Sequence, residues 1–171
     1  MERIAQDPRY FTYLRDCAQR YRILIGDARL EMGLQPDARF DVMVFDAFSS
    51  DAIPLHLATR EALALYLRKL APRGVMAFHI TNRHLDLAAP LGNLARDAGL
   101  VAIMERDERL TAREAELGKA PSEWVVVARQ RADFGDLSRD PRWVPVPTSG
   151  RPVWTDDYSN ILSALKAWNL R

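Results

Sequence analysis

The sequence Phe40-Asp-Val-Met-Val-Phe-Asp46 is the clearest indication of the fold of this chain. Residues 40–45 are almost continuously apolar, which is typical of a β-strand that is covered on both faces in a parallel sheet. After a loop, Thr59 can cap a helix that ends before Gly74, and residues 74–80 have the composition of the next strand. A strand, a helix and a strand in this order predict a βαβ unit.

Outside this unit, helical and strand patterns continue to alternate. The predicted elements are a helix over residues 8–20, a strand over 22–26, a helix over about 85–98 with a break near Pro90, a strand over 100–104, a strand over 124–128 and an amphipathic helix over 157–168. The strand over 124–128 is expected to return antiparallel to the strand before it. Together these patterns predict one α/β domain over residues 1–171, with a mostly parallel sheet that ends in a C-terminal antiparallel hairpin.

The composition limits the partners and the cellular location. The chain has 171 residues, of which 48% are hydrophobic and 27% are charged, as in a soluble globular domain. Its net charge of +1 provides no field to attract phosphates, so we expect no nucleic-acid partner. No stretch without a charged residue exceeds nine residues, and the N-terminus lacks an apolar signal core, so we expect a cytoplasmic protein with no membrane segment in this chain.

Cys17, the single cysteine, has no partner for an intramolecular disulfide, and no spacing of carboxylates and histidines matches a metal motif.

Polar residues follow three of the predicted strands, at the edge where open α/β sheets bind ligands. They are Asp27 after the first strand; Asp46, Ser49, Ser50 and Asp51 after the second; and His79, Thr81 and Asn82 at the end of the third. A carboxylate just beyond an apolar strand can accept hydrogen bonds from an amine or a ribose hydroxyl, and it can act as a general base. Asp27 is equally typical of a turn or a helix cap, and His79 of a histidine that lines a site or lies in the interior. Ser49 and Ser50 lack a Gly-x-Ser-x-Gly context, which argues against a hydrolase nucleophile.

Four stretches of the chain resemble the spermidine synthase-like family, the aminopropyltransferases built on the class I S-adenosylmethionine-dependent methyltransferase fold. They are Ile23-Leu-Ile-Gly-Asp-Ala-Arg29, Phe40–Asp46 with the loop to Pro54, Leu70-Ala-Pro-Arg-Gly-Val75 and Trp154-Thr-Asp-Asp-Tyr158. The resemblance implies a Rossmann-like, methyltransferase-type sheet that is N-terminally truncated. In the family, a small β-rich lobe and a first βαβ unit with a Gly-rich nucleoside-binding loop come before the region seen here. This chain has no G-x-G-x-x-G or comparable loop.

The resemblance also implies roles for individual residues. Asp46 matches the acid that deprotonates the attacking amine of a diamine such as putrescine. Asp27 and Ala28 match the position that contacts the adenine of the nucleoside, Asp27 through the exocyclic amine. The implied substrate-binding loop contains Asp51, Ser49 and Ser50, although it is two residues longer than the family's loop. The implied cosubstrate is decarboxylated S-adenosylmethionine or S-adenosylmethionine, and no cofactor is expected to be bound permanently.

A gap in the sheet follows from the same resemblance. In the methyltransferase-like strand order 3-2-1-4-5-7-6, two absent strands separate residues 22–26 from residues 40–45. An open gap would expose backbone groups and apolar strand edges, so either these two strands pair directly or another chain fills the gap. We expect a homo-oligomer, and weak or absent aminopropyl transfer by the chain alone. The alternatives are an S-adenosylmethionine-dependent methyltransferase or nucleoside-binding relative on the same fold, and a non-catalytic oligomeric remnant of it.

Overall fold

A computed structural model describes residues 2–17, 20–47 and 54–166 of the chain. In these ranges one open sheet contains the strands β1 (Phe40–Phe45), β2 (Leu70–His79), β3 (Val101–Asp107), β4 (Ser122–Ala128) and β5 (Val144–Pro145). The strand order across the sheet is β1-β2-β4-β3-β5. β1 and β2 are parallel, whereas the other neighbouring pairs are antiparallel, so β1, β2 and β3 run in one direction. The α/β class is confirmed, and β3 and β4 form the predicted antiparallel hairpin.

Helices of varied length connect these strands. The α-helices of the described ranges are α1 (Glu2–Gln6), α2 (Tyr13–Cys17), α3 (Ala28–Gly33), α4 (Arg60–Lys69), α5 (Ala88–Asp97) and α6 (Ala112–Glu116), and short 3-10 helices span Leu55–Leu57, Arg131–Arg139 and Ile161–Ala164. None of the helices in the described part of the chain has the length and apolar character needed to cross a membrane.

The βαβ unit built from β1, α4 and β2 forms where the sequence predicts it. The Thr59 side chain accepts a hydrogen bond from the Ala62 N–H at 3.2 Å, which caps the first turn of α4. β2 begins at Leu70, directly after α4 and four residues before the predicted start. At Gly74 an added Cβ would lie 2.8 Å from the Phe40 carbonyl oxygen, so glycine permits the close approach of β1 and β2.

Helix α5 is continuous, so the predicted break near Pro90 is wrong. Pro90 lies in the first turn of this helix, where a backbone N–H has no intrahelical acceptor to lose. At the other end Gly99 adopts a positive φ of 68° and donates its N–H to the Arg96 carbonyl, which closes the last turn.

Apolar side chains cover both faces of the central strands. The larger cluster includes Phe45, Tyr66 and Phe78, with ring centroids 4.5 Å apart for Phe45 and Tyr66 and 4.6 Å apart for Phe45 and Phe78. A smaller cluster around Val126 and Phe134 lies against the 3-10 segment at Arg131–Arg139. These two layers hold the carboxyl ends of β1 and β2 at one rigid edge of the sheet.

Three predicted elements near the termini are wrong in whole or in part. Residues 22–26 form no strand, and the described residues of the helix predicted over 8–20 are helical only at Tyr13–Cys17. The helix predicted over 157–168 is, within the described residues, a 3-10 turn at Ile161–Ala164. The strand prediction fails because backbone hydrogen bonds need a neighbouring strand, and β1 pairs with β2 alone in the described ranges.

The outer side of β1 is consequently an edge of the sheet. Val42 is 58% exposed and Val44 is 61% exposed, whereas Met43 and Phe45 on the opposite face are buried. The prediction that this strand is covered on both faces is therefore wrong. Direct pairing between residues 22–26 and β1, one of the two expected ways to close the gap, is absent because residues 22–26 form no strand.

Candidate functional site

Asp46 and His79 meet at the carboxyl edge of the sheet. The parallel register pairs Phe45 with Phe78, so the next residue of each strand lies beside its neighbour. The Asp46 Oδ1 atom lies 2.6 Å from the His79 Nδ1 atom. The Asp46 side chain is 62% exposed and that of His79 only 19%. Asp46 thus presents a carboxylate to solvent while its Oδ1 atom is held by His79.

A chain of contacts continues from His79 into the sheet. The Thr81 Oγ1 atom lies 2.7 Å from His79 Nε2, and the same oxygen accepts the Glu123 backbone N–H at 2.8 Å. The Trp124 ring stacks on the imidazole with centroids 4.7 Å apart and planes 19° apart. His79 is therefore restrained at both ring nitrogens and on one ring face.

An ion pair joins β3 and β4 next to Thr81. Glu123 is buried, and its side chain accepts a hydrogen bond from the Arg106 Nε–H. This hydrogen bond raises the pKa of Arg106, and Asp86 lies 3.7 Å from the same guanidinium. The charge of the buried Glu123 is therefore compensated by Arg106.

Asp27 caps helix α3. Its Oδ1 atom accepts the backbone N–H groups of Arg29 and Leu30 at 2.9 and 3.0 Å, and its Oδ2 atom lies 3.0 Å from His56 Nε2. The Leu30 N–H is the main cause of a lowered pKa at Asp27. Ala28 is the first residue of the helix. The capping interpretation of Asp27 is confirmed, and its contact with adenine stays a prediction.

Sequence reasoning missed an ion pair next to Asp27. The Arg29 guanidinium binds Asp156 through two hydrogen bonds of 2.7 and 2.6 Å, and it also donates to the His56 carbonyl at 3.0 Å. The Thr59 hydroxyl donates to the same carboxylate at 2.7 Å. The Arg29 contact is the main cause that lowers the pKa of Asp156 to about 2. We call the ion pair of Arg29 and Asp156 the Arg29 clamp. It joins α3, the start of α4 and the C-terminal segment.

The structure separates the predicted site residues into two groups. Asp46 lies with His79, and Asp27 lies with His56 and the Arg29 clamp. Within residues 2–17, 20–47 and 54–166, no hydrogen bond or ion pair joins the two groups. The predicted substrate-loop residues, Ser49, Ser50 and Asp51, lie outside the described residues. Nor does the described part of the chain contain a cluster of three or more acidic, histidine or cysteine side chains that could hold a metal ion.

The sheet order matches a Rossmann-like α/β fold of the methyltransferase type. A probable spermidine synthase from Corynebacterium glutamicum ATCC 13032 has a similar structure, with a TM-score of 0.52 and 18% identity over 83% of this chain and 56% of that chain. This chain therefore spans little more than half the length of that protein. At this identity the likeness shows the fold alone.

A second solved structure is more distant. MnmC2 from Aquifex aeolicus matches with a TM-score of 0.43 and 17% identity over 78% of this chain and 43% of that chain, which is too low to support an argument. No protein-family model matches the sequence, and no curated protein has significant similarity to it.

Proposed function

We propose that this chain carries the acceptor-amine side of an aminopropyl transfer site. The proposed reaction moves the aminopropyl group of decarboxylated S-adenosylmethionine to a diamine such as putrescine. The observation that carries the proposal is the exposed Asp46 carboxylate at the carboxyl end of β1, held through Oδ1 by His79. In the described ranges no hydrogen bond occupies its other oxygen, Oδ2.

Asp46 has the chemistry that this step requires. A protonated amine is a poor nucleophile, because its nitrogen lone pair is bound to a proton. Asp46 binds the ammonium group, accepts one proton from it and orients the freed nitrogen. The nitrogen then attacks the aminopropyl carbon next to the sulfonium, a new C–N bond forms, and the C–S bond breaks with its electron pair going to sulfur. Methylthioadenosine leaves, the new secondary amine stays protonated, and Asp46 releases to solvent the one proton that it accepted.

The exposed Asp46 carboxylate supports a cationic acceptor, because an accessible acid attracts an ammonium group.

The nucleoside side of the site fits only in part. Asp27 uses Oδ1 to cap α3, but Oδ2 has lone-pair capacity beyond its His56 contact and can accept the exocyclic amine of adenine. The sequence has no Gly-rich loop to bind the rest of the nucleoside. We therefore propose that this chain alone transfers aminopropyl groups weakly or not at all until a segment with such a loop is supplied.

Calorimetry on the full chain tests this proposal. Putrescine, decarboxylated S-adenosylmethionine, S-adenosylmethionine and methylthioadenosine are titrated separately at pH 8. Binding of putrescine and of the two nucleosides that lack a carboxylate is expected. Preference for S-adenosylmethionine without putrescine binding would support the methyltransferase alternative. No heat with any of the four compounds would contradict both enzymatic interpretations and support a non-catalytic remnant.

We also propose that a second copy of this chain covers the outer edge of β1. The β1 strands of two copies can pair antiparallel about a twofold axis, because a strand edge is self-complementary in that arrangement. Pairing would satisfy backbone groups along β1 and cover Val42 and Val44, whose exposure marks a strand edge prone to association.

A further inference from the structure

We propose that His79 and Thr81 are positioning residues that fix the orientation of Asp46, so that Oδ2 is the oxygen presented to the acceptor amine. This inference rests on the proposed function, because it assigns the geometry of the proposed base. Its support is a continuous series of contacts: Asp46 Oδ1 to His79 Nδ1 at 2.6 Å, His79 Nε2 to Thr81 Oγ1 at 2.7 Å, and Glu123 N to Thr81 Oγ1 at 2.8 Å.

The partners of the imidazole determine its tautomer. An ionised Asp46 can only accept hydrogen bonds, so the proton of the neutral ring must lie on Nδ1. The other nitrogen, Nε2, then carries a lone pair and accepts the Thr81 hydroxyl proton. Thr81 already uses its oxygen to accept the Glu123 N–H, so its single proton is available to point at His79. Each group in the series thus has one consistent donor or acceptor role.

The sheet holds the anchor of this series in place. His79 pairs with Trp124 in the antiparallel ladder of β2 and β4, and the Ile80 N–H donates to the Glu123 carbonyl at 2.8 Å. The backbone that carries Thr81 is therefore tied to the backbone of β4 immediately beyond the strand. Stacking on Trp124 further limits rotation of the imidazole.

This arrangement gives His79 a specific effect on Asp46. A hydrogen bond to one oxygen of a carboxylate restricts rotation about its terminal torsion. With Oδ1 held toward the sheet, Oδ2 faces away from His79 and toward the exposed side of the residue. A donor at the position of Nδ1 is the feature that matters, whereas the basicity of the ring is secondary.

Two substitutions of His79 separate these features. The amide nitrogen of asparagine can take the position of Nδ1, so His79→Asn keeps a donor to Asp46. The amide nitrogen of glutamine lies nearer the position of Nε2, so His79→Gln loses that donor. Thr81→Val removes the anchor, and Thr81→Ser retains it. Asp41→Asn changes an exposed residue of β1 outside the series and serves as the control.

Calorimetry combined with nitrogen NMR on the full chain at pH 8 tests the positioning role of His79 and Thr81. We expect His79→Gln to weaken putrescine binding about tenfold, as for loss of a hydrogen bond to a charged group, while His79→Asn stays near the wild type. Thr81→Val is expected to weaken binding more than Thr81→Ser. In the wild type, the His79 signals should show a protonated Nδ1 and an unprotonated Nε2. Circular dichroism identifies any variant that fails to fold, and the Thr81 pair and the NMR signature then decide the question.

The outcomes separate the inference from the function on which it rests. If the wild type binds putrescine and His79→Gln binds it equally well, or if Nε2 carries the proton, the positioning role is refuted and the proposed function stands. If the wild type binds no putrescine, the proposed function fails and the positioning role fails with it.

Discussion

The clamp between Arg29 and Asp156 provides a prediction whose size follows from the structure. Asp156→Asn removes the charge and one acceptor oxygen from a carboxylate that binds two guanidinium N–H groups and the Thr59 hydroxyl. Because the clamp joins the C-terminal segment to α3 and α4, its loss is expected to lower the free energy of unfolding of the whole chain.

The pKa of Asp156 and the exposure of the two side chains limit the expected loss in the free energy of unfolding. The Arg29 contact is the main cause that lowers the pKa of Asp156 from 3.8 to about 2, which corresponds to at most roughly 2.5 kcal/mol in favour of the ionised form. The Asp156 side chain is 41% exposed and that of Arg29 is 20% exposed. Solvent screening at this exposure reduces the expected loss to about 1 kcal/mol.

The direction of the pKa shift at Asp156 determines how the contribution of the clamp to the free energy of unfolding changes with pH. The pKa of Asp156 is lower in the folded state than in the unfolded state, so its contribution is complete above about pH 5 and disappears as the pH falls toward 2. Urea denaturation of the wild type and of Asp156→Asn, at pH 7 and at lower pH, measures this contribution to the free energy of unfolding. Asp157→Asn changes the neighbouring exposed acid and is the control. Equal stability of Asp156→Asn and the wild type at pH 7, or a difference that grows in acid, would refute the clamp.

Two further predictions concern packing and assembly. At Gly92 in α5 an added Cβ would lie 2.2 Å from the Pro147 carbonyl oxygen, so Gly92→Ala is expected to lower the free energy of unfolding by about 1–3 kcal/mol in urea denaturation. Gly33→Ala has no neighbour within 4 Å and should stabilise by about 0.5 kcal/mol; equal effects of the two changes would contradict the packing at Gly92. Val44→Lys places a charge on the exposed face of β1 and is expected to convert dimers to monomers in light scattering, whereas a monomeric wild type would contradict the proposed second copy.

Local patterns were sufficient to predict the β1-α4-β2 unit. The apolar run before Asp46 and the cap at Thr59 act within a few residues of their own element, so the sequence carries their signal directly. The break predicted at Pro90 is wrong because a proline breaks a helix in its interior but is tolerated in the first turn. The position of a residue within its helix, and not its type alone, decides the effect.

Features that depend on distant partners could not be predicted. Residues 22–26 have strand-like composition, yet a strand requires a neighbour and the described chain provides none. Arg29 and Asp156 are 127 positions apart, so no local pattern connects them. Asp46 and His79 could be assigned to the same sheet edge, but their hydrogen bond depends on the register of β1 and β2.

Putrescine titration into Asp46→Asn tests the assignment of Asp46 to the acceptor amine. Asparagine preserves the size of the side chain and removes its charge, so putrescine affinity is expected to fall at least about tenfold. Asp41→Asn is the matched control, since Asp41 is an exposed acid on the same strand β1 and is expected to leave the affinity unchanged. Wild-type affinity in Asp46→Asn, or an equal loss in both variants, would contradict the assignment of Asp46 to the acceptor amine.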